Sequence, residues 1–155
     1  MIWIQTGGFL IELFSGSPEE TEALGAGIAA HLTAGSVIAL RGALGAGKTC
    51  LAKGIARGLG IAETVTSPTY TIVSEYCTAQ CVPLYHIDAY RLSGDEDFEN
   101  TGALELLGSS GIALIEWSER IPCSIPSDAI SINIEICGPA ERVLRISGLE
   151  SLNER

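Results

Sequence analysis

Two spacings of apolar residues alternate along the chain and predict alternating strands and helices. Phe9-Leu10-Ile11-Glu12-Leu13-Phe14 has the composition of a strand. Leu24, Ile28 and Leu32 then recur four apart, the stripe of an amphipathic helix. Ser17 is placed to cap that helix, Pro18 suits its first position, Glu20 completes a capping box, and Ala34-Gly35 is the predicted stop. Val37-Ile38-Ala39-Leu40 is a short continuous apolar run, the pattern of a strand buried on both faces. Leu51, Ile55 and Leu59 mark a second helix, with Lys53 and Arg57 on its solvated face and Gly58 and Gly60 ending it. Further on, the rear of Val65 to Tyr76 and the run Val82 to Asp88 pattern as two strands, possible partners in a hairpin around Thr78-Ala79-Gln80. Gly94 to Asn100 is an acidic helical patch and Ala103 to Leu107 a short amphipathic piece. Gly111 to Glu116 is a buried strand, and Ala129 to Ile136 and Val143 to Ser147 form an antiparallel pair joined at Gly138-Pro139. Met1 to Gly8 carry no assignment, and the tail from Glu150 is expected to fray. The alternation implies an α/β sandwich in three layers, with a mainly parallel central sheet and antiparallel additions.

Candidate chemistry begins where the first buried strand ends. Gly42-x-x-x-x-Gly47-Lys48-Thr49 fits the phosphate-binding loop pattern G-x-x-x-x-G-K-[ST], with a strand before it and a helix after it. The glycines let the backbone curl so that successive N–H groups face phosphate oxygens, and the following helix adds its positive end. Lys48 is placed to neutralise the β- and γ-phosphates, and the Thr49 hydroxyl to hold Mg²⁺. The fold expected is therefore a P-loop NTPase domain, a single one spanning 1–155, with 1–8 and 150–155 poorly ordered.

Ligands of such sheets bind at the carboxyl ends of the strands, which selects the acidic residues that matter. Glu116 follows Ile112-Ala113-Leu114-Ile115, and Asp88 follows Leu84-Tyr85-His86-Ile87. Either can complete the Mg²⁺ shell or position the nucleophile for phosphoryl transfer to water. The loop Thr64 to Tyr70 is dense in hydroxyls and lies where a nucleotide switch falls; Ser67 and Thr69 are its candidates to reach phosphate or metal. His86 fits a packed strand residue better than a general base. Arg91 and Arg120 are the arginines near the site outside the phosphate-loop segment, suited to transition-state charge or to surface ion pairs.

Charge and cysteine usage narrow the function classes. The formal charge of -10, from 19 acidic against 9 basic residues, argues against a stand-alone nucleic-acid binder and suits a basic protein partner or simple solubility. Five cysteines include no pair at zinc-knuckle or redox spacing; Cys77 and Cys81 flank the hairpin turn, where a disulfide is conceivable. The N-terminus lacks a basic region, Glu12 breaks its apolar run, and no segment approaches the length of a membrane span. The expected location is the cytoplasm, without membrane contact.

The order GALGAGKT, SPTYTIVSEY, YHIDAYRL, ALIEWSER resembles the TsaE (YjeE) family, small bacterial P-loop ATPases of tRNA threonylcarbamoyladenosine synthesis, over roughly Ser17 to Pro139. The resemblance implies that Gly45, Ala46, Gly47, Lys48, Thr49 and Cys50 line the phosphates of ATP, with Thr49 and Glu116 on Mg²⁺. It makes Asp88, Lys48 and Glu116 the catalytic set, Thr66 to Thr71 a switch-like loop, and Trp117 a support beside Glu116. It further implies an accessory ATPase that binds the TsaD–TsaB pair and resets it between turnovers, meeting tRNA only through that complex. Ala43 stands where the family usually has Asp or Glu, and Gly94 where it has proline. The alternatives are a small-molecule kinase, disfavoured by the lack of an Arg-rich lid, a GTPase, disfavoured by the lack of N-K-x-D, and a nucleotide-binding regulatory module that hydrolyses little, which Ala43 keeps open.

Overall fold

The computed structural model describes residues 4–6 (backbone only), 10–68 and 70–149. Its strands are β1 Ile4–Thr6, β2 Leu10–Ser15, β3 Val37–Arg41, β4 Val73–Cys77, β5 Pro83–Asp88, β6 Ile112–Glu116, β7 Ile130–Ile136 and β8 Arg142–Ser147. The helices are α1 Pro18–Ala29, α2 Lys48–Gly58 and α3 Asp95–Asn100, with 3-10 turns at Ala103–Leu106 and Ser118–Arg120. One mixed sheet runs in the order β1-β2-β8-β7-β3-β6-β5-β4. Its centre is parallel, β3 pairing with β6 and β7, and β5 with β6. β4 closes one edge antiparallel, and β8, β2 and β1 extend the other the same way. Strand β1, drawn from a stretch the apolar pattern leaves unassigned, pairs Ile4 with Glu12.

Alternation along the buried strands builds the layers. Ile38, Leu40, Leu84, Ile112 and Leu114 join the cluster under α1 and α2. Val37, Ile87, Ala113 and Ile115 face the other way and join Phe98, Ala103 and Ile121. A run apolar at every position is thereby used on both faces, the condition of a strand inside a three-layer α/β sheet.

Helix α1 starts where predicted: the Ser17 side chain accepts from Glu20 N at 3.1 Å, and Gly16 N donates to Glu20 Oε2 at 2.7 Å. It ends at Ala29, short of the predicted stop. The chain then tightens into i→i−3 bonds, His31 N to Ile28 O and Leu32 N to Ala29 O, so Leu32 stays buried without being helical. Glycine lets α1 and α2 touch backbone to backbone. A Cβ on Gly54 would lie 2.0 Å from Glu22 O, one on Gly25 2.5 Å from Leu51 O, and one on Gly58 2.6 Å from the Ala29 methyl. Gly58 therefore serves packing, and the left-handed turn that stops α2 falls at Gly60, φ +75. Cys77 and Cys81 flank the β4–β5 turn as free thiols.

Candidate functional site

Four chain segments meet at the carboxyl ends of β3, β5 and β6. The register sets Asp88 directly beside Glu116, and the loop after β3 curls over them into α2. Gly42 begins the loop so close to β7 that a Cβ there would sit 2.7 Å from Ile134 O, which a larger residue could not relieve without moving the sheet. Gly47 caps α2 in a left-handed conformation (φ 105) and offers no side-chain acceptor, so the first-turn N–H groups of α2 are left without a side-chain cap. Gly45, Gly47, Lys48, Thr49, Cys50, Ser67, Asp88, Glu116 and Trp117 line one cavity of about 360 Å³ with Leu44 and Tyr90 at its rim. Ala46, predicted beside them, is fully buried and gives its N–H to Ala43 O at 3.0 Å.

Within the cavity the polar groups are already partnered. Lys48 Nζ donates to Gly42 O at 2.6 Å and Ala43 O at 2.9 Å, and it lies 3.8 Å from the centroid of Trp117. Burial pushes the Lys48 ammonium below the ordinary lysine value, opposed by the carboxylates of Glu119, Glu116 and Asp88. Trp117 itself holds a left-handed backbone (φ 58), unfavourable for a bulky residue, and packs against Tyr90 with ring centroids 4.8 Å apart and the planes tilted by 48°. Thr49 Oγ1 donates to Glu116 Oε2 at 3.1 Å, and the other carboxylate oxygen, Oε1, is 2.9 Å from His86 Nε2. Two hard oxygen donors thus converge, the chemistry that suits Mg²⁺, which keeps several of its waters and takes few protein ligands. Asp88 Oδ2 accepts from Ser67 Oγ and Oδ1 from Tyr90 N, both at 2.9 Å. Thr69 lies outside the described residues. Burial, with Glu22 nearby, pushes the Cys50 thiol up, and its Sγ reaches Pro18 O at 3.1 Å.

The sequence-selected arginines do not enter the cavity. Arg91 lies over exposed Tyr70 at 4.7 Å, and Arg120 over Tyr90 at 5.2 Å. The arginine that reaches the loop is Arg142 of β8, Nε on Ala46 O at 3.0 Å and Nη2 on Gly45 O at 3.2 Å. It sits 96 positions beyond Ala46, and the antiparallel pairing that folds β8 back leaves no local spacing signal. His86, expected as a packed residue, is packed, fully buried on the β5 face that carries Asp88, and it also binds Glu116.

Fold and site define a P-loop α/β protein. The model of the family described as threonylcarbamoyl adenosine biosynthesis protein TsaE matches residues 15–144, and the chain belongs to that family. It is 40% identical over 133 residues to the tRNA threonylcarbamoyladenosine biosynthesis protein TsaE of Treponema pallidum (strain Nichols), covering 86% of this chain and 97% of that one. The protein of the same name from Aquifex aeolicus (strain VF5) is 41% identical over 140 residues, with 88% and 96% covered. The crystal structure of Bacillus subtilis YdiB superposes with a TM-score of 0.76 at 34% identity, covering 92% of this chain and 88% of that one.

Proposed function

We propose that the protein is a Mg²⁺-dependent ATPase of tRNA threonylcarbamoyladenosine biosynthesis that binds the TsaD–TsaB pair and drives its turnover. The observation that carries this reading is the convergence of Thr49, Glu116 and Asp88 on one cavity at the phosphate loop. The N–H groups of Gly45, Gly47, Lys48, Thr49 and Cys50 bind the phosphates, while that of Ala46 stays on Ala43 O. Lys48 exchanges its two loop carbonyls for phosphate oxygens, keeping a charge that burial makes costly until an anion arrives. Thr49 and Glu116 hold Mg²⁺, which when bound neutralises charge on the β- and γ-phosphates. Asp88 orients the attacking water and accepts its proton, once Ser67 releases Oδ2. Trp117 covers the lysine and limits water at the phosphates. tRNA meets the protein only through the complex, and the reaction belongs in the cytoplasm; among the described residues no helix is long and apolar enough to cross a membrane.

The experiment is Mg²⁺-dependent ATP hydrolysis by the purified protein, alone and with TsaD and TsaB added. Low basal turnover that rises with the pair is expected; strong turnover indifferent to the pair would make it a generic ATPase. Asp88→Ala should keep ATP affinity and lose about 10²–10⁴-fold in turnover, the range of a positioned general base. A second reading, a nucleotide-binding module with little hydrolysis, is favoured by one observation: both Asp88 oxygens are occupied by Ser67 and Tyr90. Tight ATP binding without turnover under any partner condition would select it.

A further inference from the structure

We infer that His86 is a positioning residue for Glu116: it binds one carboxylate oxygen permanently, so that the other alone is presented to the cation. The inference rests on the proposed function above, in which Glu116 and Thr49 hold Mg²⁺.

Strand alternation aims His86 at this position. Leu84, His86 and Asp88 share one face of β5, as Ile112, Leu114 and Glu116 share one face of β6, and His86 pairs with Leu114 in the register. The imidazole therefore lies beneath the Glu116 carboxylate, one residue pair inside the edge where Asp88 and Glu116 stand. It is fully buried, and Glu116 is 3% exposed, so solvent does not set the orientation of the carboxylate. Among the described residues Nδ1 has no hydrogen-bond partner. A carboxylate oxygen can only accept, so Nε2 carries the proton of this contact and donates it to Oε1.

The two oxygens of Glu116 are thereby unequal. Thr49 Oγ1 donates to Oε2 across 3.1 Å from the first turn of α2, and Thr49 and Glu116 both line the cavity, whereas His86 does not. That bond is the one a cation replaces, because a cation takes the lone pairs of Thr49 Oγ1 and of Glu116 Oε2 together. The His86 contact lies behind the carboxylate and stays. Without it, Glu116 would have a buried oxygen with no donor and a side chain free to rotate. Partners of this kind hold ligand orientation and are worth about 10–100-fold in metal affinity.

The test measures ATP affinity by isothermal titration in Mg²⁺ and in EDTA for wild type, His86→Leu, His86→Asn and His86→Gln. The readout is the ratio of the two affinities, and affinity in EDTA reports whether loop and fold are intact. Wild type should bind ATP more tightly in Mg²⁺. His86→Leu should lose about 10–100-fold of Mg²⁺ affinity at unchanged EDTA affinity. His86→Gln, whose amide can donate from the place of Nε2, should recover most of it, whereas His86→Asn is too short to reach. In a Glu116→Gln background the His86 substitutions should change the ratio by less than about twofold, since they act through that carboxylate. A wild-type ratio near one would overturn the metal reading of Thr49 and Glu116, with binding in EDTA intact. A wild-type ratio well above one that His86→Leu or His86→Asn retains within about threefold would overturn the role of His86 alone, as would additivity with Glu116→Gln. If His86→Leu fails to fold, His86→Asn against His86→Gln decides.

Discussion

Lys48 concentrates the conflict between folding and function in one side chain. The residue is 5% exposed, its ammonium is satisfied by two carbonyls and a ring face, and among the described residues no carboxylate hydrogen-bonds to it. Its folded-state value lies below that of the unfolded chain, so between the two the unfolded state binds more protons and stability rises with pH. Lys48→Met removes that dependence. The stability of wild type relative to Lys48→Met should therefore rise as pH climbs from neutral toward the ordinary lysine value of 10.5, read by urea denaturation at several pH values. A gap independent of pH would mean that burial does not strain the ammonium. The same substitution should weaken ATP binding at least about 10–100-fold, since a charge-assisted hydrogen bond contributes about 1.5–3 kcal/mol. Cys50 offers a second residue-scale reading. Its raised thiol value keeps it protonated, so iodoacetamide at pH 8 should modify it more slowly than exposed Cys77, Cys81, Cys123 and Cys137. Bound ATP should slow it further; equal rates at all five would remove the burial argument.

At the scale of elements, the α1–α2 contact depends on glycines whose roles differ. In an open helix, Gly→Ala gains about 1 kcal/mol from propensity. At Gly54 that gain meets a Cβ placed 2.0 Å from the Glu22 carbonyl oxygen, a backbone atom that cannot rotate away. The helices must part, and overpacking of this kind costs about 1–3 kcal/mol or more. Gly54→Ala should lower the thermal midpoint by several degrees, at about 2–4 °C per kcal/mol for a chain of this size. Gly27, exposed on α1 with nothing within 4 Å of a built Cβ, should respond the opposite way, and Gly27→Ala should raise the midpoint. If both variants move in one direction, propensity or packing alone governs the pair. The contrast also marks what the sequence reveals. Apolar spacing disclosed most strands and the start of both long helices, because Ser17, Pro18, Glu20 and Gly47 act on neighbours within one turn. It did not disclose the close approach at Gly54 or the reach of Arg142 to the loop, which arise from segments far apart in the chain. Nor did it disclose what His86 does: the alternation in β5 shows which face it takes, while its partner Glu116 lies on β6.

At the scale of the whole molecule, charge is distributed against the chemistry. The chain carries -10 overall, while the function proposed for its cavity is to take a polyanion. In that proposal a nucleotide would be met at short range by loop N–H groups and Lys48, where local geometry outweighs net charge. A tRNA backbone would meet the whole field, and with nine basic residues in the chain there is little to release counterions from it. The protein alone should therefore show no retention of tRNA at physiological salt, by filter binding or anisotropy. A protein partner faces a different balance. If TsaD–TsaB docks through a basic surface, association is steered by charge and screened within about 8–10 Å at 0.1–0.15 M salt. Raising salt from 50 to 500 mM should then raise the partner concentration needed for half-maximal stimulation of ATP hydrolysis by about tenfold or more, while basal hydrolysis, set inside the cavity, changes less. A half-maximal concentration indifferent to salt would point to the other feature at the cavity mouth. Leu44 and Tyr90, at the rim, are 79% and 42% exposed, and Tyr70 beside Arg91 is 86% exposed, apolar surface whose burial salt would not weaken. Substituting Leu44 and Tyr70 by serine would then abolish stimulation at every salt concentration, whereas charge-led docking would survive it.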